Sequence, residues 1–221
     1  MRLKLLMAGV VAGALAMAGA ASAATELVVN GGFTGAARTG FTTVSAGGPT
    51  SIAGWTVLTN YVDWSNGAWQ SSDGDGHSID LIGGYGVGSI TQTIATKAGY
   101  TYLLTFDVSG NPDNYREAER IVTVSAGGAN IGAAQYTLGA ANSRADMLWS
   151  SRSLSFVATG DLTQLVFTGT STGGNCCWGA ALDNVSVTAV PEPATWAMMI
   201  IGFGAVGSVV RTSRRRALGA V

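Results

Sequence analysis

Between residues 24 and 190 apolar and polar positions alternate with period two in many short runs, seen well at Gln92–Ile94 and Tyr102–Val108. That period places successive side chains on opposite faces of a strand. It predicts strands at 26–30, 53–58, 61–64, 78–82, 87–94, 100–109, 119–125, 130–136, 147–157, 162–168 and 181–188. Turn residues separate the runs: Gly47-Gly48-Pro49, Asp73-Gly74-Asp75-Gly76, Asn111-Pro112-Asp113, Gly127-Gly128 and Gly173-Gly174-Asn175. Many short strands with glycine-rich turns imply an all-β, antiparallel sandwich. Residues 115–120 have room for one helical turn. No internal repeat divides the stretch, so 24–190 is expected to form one domain.

The two ends follow another pattern. Residues 1–23 have a positive start (Arg2, Lys4), an apolar run and Ala21-Ser22-Ala23. This is the layout of a secretory signal peptide, with the mature chain starting near Ala24. From Ala194 to Val210 no residue is charged, and arginines follow. The run predicts a transmembrane helix at about 194–210 and a basic cytoplasmic tail at 211–221, which puts the domain outside the inner membrane. Within this region stand Pro191-Glu192-Pro193, Trp196-Ala197-Met198-Met199-Ile200, Gly202-Phe203-Gly204 and the cluster Arg214, Arg215, Arg216. Residues 191–216 resemble the PEP-CTERM sorting signal, in its Trp-Ala form. The resemblance implies processing by the membrane enzyme exosortase in bacteria that make extracellular polysaccharide. Pro191, Glu192 and Pro193 would be recognised, with Trp196 and the arginines completing the signal. The protein would be exported, held at the inner membrane, then released to the cell envelope or extracellular matrix.

Composition narrows the classes. Glycine supplies 32 of 221 residues and charged residues only 11%, which excludes a coiled coil or helical bundle. One histidine, His77, excludes a multi-histidine metal enzyme. The net charge of −1 averages unlike regions: residues 24–190 hold six basic residues against twelve acidic ones. An acidic domain without a basic patch is a poor partner for nucleic acid.

Further motifs run along the domain: Leu27-Val28-Val29-Asn30-Gly31-Gly32-Phe33, Gly54-Trp55-Thr56-Val57, Ser78-Ile79-Asp80-Leu81, Ile90-Thr91-Gln92-Thr93, Phe106-Asp107-Val108-Ser109-Gly110-Asn111-Pro112 and Ala181-Leu182-Asp183-Asn184-Val185-Ser186-Val187. Together they resemble the choice-of-anchor C family and its plant cell-wall relatives of galactose-binding-like fold. The resemblance implies a jelly-roll sandwich with an envelope or matrix role, and no known enzyme activity.

Exposed aromatic rings with neighbouring acids and amides would bind sugars. Tyr61, Asp63, Trp64 and Trp69 lie close together, with Asn60 and Asn66 among them. They form the candidate carbohydrate surface, while Trp55 is expected in the core. Tyr85 and Trp149 are weaker candidates. No cofactor is expected beyond a structural calcium. Asp73-Gly74-Asp75-Gly76-His77 has alternating oxygens but lacks the glutamate that completes an EF-hand loop. The jelly-roll resemblance would instead put a calcium ligand at Asp183. Cys176 and Cys177 are adjacent and are the only cysteines. In an oxidising compartment they are expected to form a vicinal disulfide, with intermolecular pairing or free thiols as alternatives. Gly76-His77-Ser78-Ile79-Asp80 fails as a nucleophile elbow because Asp80 replaces the required glycine. Three functions follow in order: a non-catalytic exported protein that binds or organises polysaccharide, a structural matrix protein acting by protein contacts, and a glycan hydrolase.

Overall fold

A computed structural model describes residues 24–84, 86–113, 119–172, 177–191, 199–208, 210 and 211. Its strands are β1 (Gly40–Ser45), β2 (Thr56–Thr59), β3 (Tyr61–Asn66), β4 (His77–Asp80), β5 (Ser89–Ala95), β6 (Thr101–Gly110), β7 (Glu119–Ala126), β8 (Ala129–Thr137), β9 (Ser150–Val157), β10 (Leu162–Ser171) and β11 (Ala180–Ala189). They form a six-stranded sheet, β1-β3-β4-β11-β6-β9, and a five-stranded sheet, β2-β5-β10-β7-β8. Every pairing between these strands is antiparallel. The two sheets face each other as a jelly-roll β-sandwich.

The inner faces pack an apolar core. Along β3, Val62 and Trp64 point inward; along β6, Leu104, Phe106 and Val108 do so; along β11, Ala180, Leu182, Val185 and Val187 do so. An aromatic chain runs through the centre. Ring centroids lie 5.3 Å apart for Phe33–Trp55, 5.9 Å for Trp55–Phe167 and 5.6 Å for Phe106–Phe167. Trp55 is core, as expected, and its indole N–H donates to the Asn30 carbonyl at 2.9 Å.

Two elements differ from the sequence reading. The run 26–30 makes one bridge, Glu26 to Thr188, and no strand. Beside one backbone bond, Leu27 N–H to the Val187 carbonyl at 3.0 Å, side chains satisfy its backbone: Glu26 accepts from Leu27 and Val28, and Gln92 accepts from Val29 at 2.7 Å. The chain then turns through positive φ at Asn30 (58°) and Phe33 (56°). Conversely, β1 lies between the expected strands 26–30 and 53–58, where the alternation predicts none. It forms the edge of the six-stranded sheet, pairing only with β3.

The helical turn expected at 115–120 falls mostly outside the described residues, and Arg120 is in β7. Residues 199–208, 210 and 211 are helical and fall in or beside the expected span. Among the described residues no helix is long and apolar enough to cross a membrane.

Candidate functional site

The outer face of the six-stranded sheet has a covered part and an open part. Because Val62, Trp64 and Ile79 point into the core, the alternating positions point outward: Tyr61, Asp63 and Ser65 on β3, Ser78 and Asp80 on β4. On β11 and β6 the outward set is Ala181, Asp183, Asp107 and Ser109.

Two loops cover the β4–β11–β6 part. Trp69, Ala68, Met147 and Ala181 form a small second core, with Trp149 packed on it. Gln70 joins the loops: its N–H donates to the Arg144 carbonyl at 2.8 Å, its Oε1 accepts from Met147 N–H at 2.9 Å, and its carbonyl accepts from the Trp149 indole at 3.0 Å. Below them Ser109 donates to the Met147 carbonyl. Ser72 N–H donates to Asp183 at 2.7 Å, and its hydroxyl donates to Asp107.

This arrangement corrects half of the expected carbohydrate surface. Trp69 is 3% exposed, and its indole donates to Ser78 at 2.8 Å. Trp64 is 4% exposed, and its indole donates to the Phe33 carbonyl at 2.7 Å. Neither ring has a face left for a sugar. Trp64 has the core-facing parity of β3, and Trp69 faces outward but lies under the 139–149 loop.

The open part lies over β1 and β3. Tyr61 remains 43% exposed, with its ring against Gly84. Phe41, which sequence reasoning missed, is 46% exposed on the same face. The register pairs Phe41 with Ser65, Thr43 with Asp63 and Ser45 with Tyr61. Four residues of β1 thus separate the two rings, roughly 14 Å at about 3.4 Å per residue. Between them the Thr43 hydroxyl donates to Asp63 at 2.5 Å. Asp63 is buried, and burial raises its pKa to about 6, against the Thr43 bond and helped by the charge of Asp80.

At the Phe41 end the face opens into a cleft of about 600 Å³, lined by Arg38, Thr39, Gly40, Phe41, Thr42, Thr43, Ala68 and Arg144. The Arg144 guanidinium is held in a fork by Asp113, with Nε to Oδ1 at 2.6 Å and Nη2 to Oδ2 at 2.7 Å.

Beneath the far end of the face sits a buried polar knot. Asp80 accepts from Asn111 at 2.7 Å, Gly179 N–H at 3.0 Å and Ile82 N–H at 2.8 Å. Burial pushes its pKa up, partly offset by these bonds and by Arg120. Arg120 is itself buried and donates to Ser171. The Arg120 Nε is buried without a hydrogen-bond partner, and the link between Arg120 and Asp80 across the two sheets is one of charge.

The remaining expected residues fall as follows. Asp183 accepts from Ser72 and Asn184 N–H groups, both at 2.7 Å. Its pKa rises to about 7, first through burial and then through the charges of Asp73 and Asp75. Asp73 caps Asp75 N–H at 3.0 Å, and Asp75 caps His77 N–H at 2.7 Å, so this loop is built as successive Asx turns. Among the described residues no group of three or more His, Cys, Asp or Glu side chains could hold a metal ion. Cys177 is disulfide-bonded at φ 68°, and its N–H donates to the Gly84 carbonyl at 3.1 Å. Pro191 is exposed, one residue past Val190, whose N–H donates to Thr101 at 2.9 Å. Tyr85, Cys176, Glu192, Pro193, Trp196, Arg214, Arg215 and Arg216 lie outside the described residues.

The fold and the chain's end define an exported β-sandwich protein with a C-terminal sorting signal. The PEP-CTERM protein-sorting motif matches residues 189–216 and implies export and exosortase processing. The domain matches the family described as "Protein of unknown function (DUF642)" over residues 26–188, and the chain belongs to that family. No curated protein matches. A Stig cyclase, FisC, from Fischerella sp. TAU shares the fold: 16% identity, TM-score 0.52, 77% of this chain and 100% of that one. The TmCBM61 structure, in complex with beta-1,4-galactotriose, has 14% identity and TM-score 0.43 over 75% of this chain and all of that one. The MgGH51 α-L-arabinofuranosidase has 15% identity and TM-score 0.48, over 74% of this chain and 26% of that one.

Proposed function

We propose that this is a non-catalytic exported protein whose sandwich binds extracellular polysaccharide on the open face over β1 and β3. One observation carries the reading: two exposed rings, Phe41 and Tyr61, flank the Thr43–Asp63 pair on one face, beside a cleft. Sugar rings stack their apolar faces on such side chains, and the polar groups between take hydroxyls. The separation of the rings suits a chain of sugars rather than a single one. The sorting motif, read as the Trp-Ala form on a choice-of-anchor C type domain, would bring this face to the cell surface. Until exosortase acts, a helix at 194–210 would anchor the domain to the inner membrane. Cys177 would pair with Cys176, the other cysteine of the chain. Asp183 fits a structural role, with calcium as an expectation tested below.

Affinity electrophoresis through gels containing the host's exopolysaccharide tests the reading. The protein should be retarded, and Phe41→Ala or Tyr61→Ala should each weaken retention about tenfold, the equivalent of about 1.4 kcal/mol. No retardation in any polysaccharide gel would leave a structural matrix protein acting by protein contacts. Release of reducing ends, lost in Asp63→Asn, would instead mark a hydrolase.

A further inference from the structure

Resting on that reading, we propose that the polysaccharide is acidic, and that Arg38 and Arg144 hold a sugar carboxylate while its ring, or the next one, stacks on Phe41. The first argument is the distribution of cations. Residues 24–190 contain six basic residues. Arg120 is buried against Ser171, Arg152 is bonded to Ser150, Ser151 and Gln135, and Lys97 sits over the Tyr100 ring at 4.6 Å. Arg116 lies outside the described residues. The other two, Arg38 and Arg144, both line the cleft at Phe41. In a domain with twice as many acids as bases, that meeting is a local reversal of sign.

The second argument is geometric. Asp113 engages Nε and Nη2 of Arg144 and so fixes the plane of the guanidinium, leaving the Nη1 edge for a ligand. A planar guanidinium recognises a carboxylate through paired N–H donors, and a pre-oriented one loses less freedom on binding. The Arg144 side chain stays 59% exposed, so the pair with Asp113 does not bury the charge. The Arg38 side chain is exposed too. The third argument is shape. Gly40 and Ala68 leave the cleft without bulk, and Thr39, Thr42 and Thr43 line it with hydroxyls. About 600 Å³ falls in the range of small-molecule sites.

The test uses the full-length chain purified in detergent, with EDTA present so that calcium gelation plays no part. The probes are alginate, a polyuronate, and the same alginate after chemical reduction of its carboxyl groups. Alginate should bind at least tenfold more tightly than the reduced polymer. Arg38→Gln and Arg144→Gln should each weaken alginate binding about tenfold, and Arg144→Lys, which keeps the charge but not the fork, should recover only part. All three variants should keep the parent's unfolding midpoint, and each should lose more affinity for alginate than for the reduced polymer. Phe41→Ala should weaken both polymers. Equal affinity for the two polymers, or arginine variants that bind alginate like the parent, would overturn the acidic preference and leave sugar binding standing. Failure to bind both polymers and neutral glucans as well would overturn the sugar-binding reading itself.

Discussion

Thr43 donates its hydroxyl to Asp63 at 2.5 Å across the first pairing of the six-stranded sheet. One partner lies on an exposed edge strand and the other is a buried acid, so the bond joins the surface of the candidate site to its support. A hydrogen bond to the ionised form favours that form. Thr43→Val removes the donor at nearly constant volume. The Asp63 pKa should then climb further above about 6. Carboxyl-detected titration by nuclear magnetic resonance would show the shift, and an unchanged or lower pKa would mean that Thr43 does not bond the ionised carboxylate.

Trp64 and Trp69 should behave as structural residues. Each fills a packed site and donates an indole hydrogen bond. Truncating a buried tryptophan to alanine costs about 3–5 kcal/mol. Trp69→Ala should therefore lower the unfolding midpoint sharply, while the fraction still folded binds glycan like the parent. If Trp69→Ala kept its stability and lost binding, the covered face would be the sugar site after all.

The contrast between these residues and Tyr61 shows what the sequence could convey. Period two along Tyr61–Trp64 was plain, and it says that Tyr61 and Asp63 share one face while Val62 and Trp64 share the other. Apolar Val62 and Trp64 against Asp63 already mark the inward parity, so placing Trp64 on one surface with Tyr61 and Asp63 followed nearness in sequence rather than the alternation. Trp69 shares the outward side yet is buried, because Met147, distant in sequence, closes over it. β1 escaped notice because its GFTTVS run is an edge strand with one buried apolar residue, Val44. Phe41 went unseen with it. The β5, β6, β10 and β11 ladders, by contrast, carry inward-facing apolar residues at nearly every second position, and their strands fall within three residues of the expected bounds.

Stability should fall as pH rises. Asp183 has a folded pKa of about 7 against an ordinary 3.8, and Asp63 about 6. Between the unfolded and folded values the native state binds more protons than the unfolded one. Stability is then full below about pH 4 for these groups, declines through about 7, and is flat above. Melting curves should show a lower midpoint at pH 8 than at pH 5. Asp183→Asn should flatten the profile. Asp73→Asn should do so in part, since the Asp73 charge helps raise the Asp183 pKa. Calcium added at pH 8 should raise the midpoint if a cation offsets these charges; an unmoved midpoint would remove the expected structural calcium. A midpoint that rises from pH 5 to 8 would contradict the burial of these acids.

Gly31 should tolerate no side chain. A Cβ there would stand 1.8 Å from the Val185 carbonyl oxygen, which belongs to the backbone of β11 and cannot swing aside. The close approach also serves a bond, since Val185 N–H donates to the Gly31 carbonyl at 3.0 Å. Gly31→Ala should therefore separate the 26–33 segment from β11 or prevent folding. Gly67→Ala is the control for space, because a Cβ there meets nothing within 4 Å. It still carries the strain of φ +76°, so a cost of about 1 kcal/mol is expected. Denaturation of the two variants side by side separates the effects: equal losses would mean that the approach to Val185 is not tight.

Glu26 closes the domain at its first residues. Its carboxylate accepts from Leu27 N–H at 2.9 Å, Val28 N–H at 2.7 Å, Val187 N–H at 2.9 Å and the Ser186 hydroxyl. Two of these donors belong to the same segment and two to β11, so one side chain extends the short pairing made by the Glu26–Thr188 bridge and the Leu27 N–H bond to the Val187 carbonyl at 3.0 Å. A charged acceptor is needed, because the partners are all donors and a neutral amide would offer one oxygen and a competing N–H. Glu26→Gln should cost roughly 1–2 kcal/mol and Glu26→Ala somewhat more, within the range for hydrogen bonds to charged groups. The loss should be local. Hydrogen exchange at Val28 and Val187 should accelerate in both variants, while Leu104 and Val124 in the central ladders exchange as before. Uniform acceleration would mean that the terminal clasp is part of the global folding unit, and unchanged exchange would mean that the bridge of Glu26 to Thr188 holds without its carboxylate.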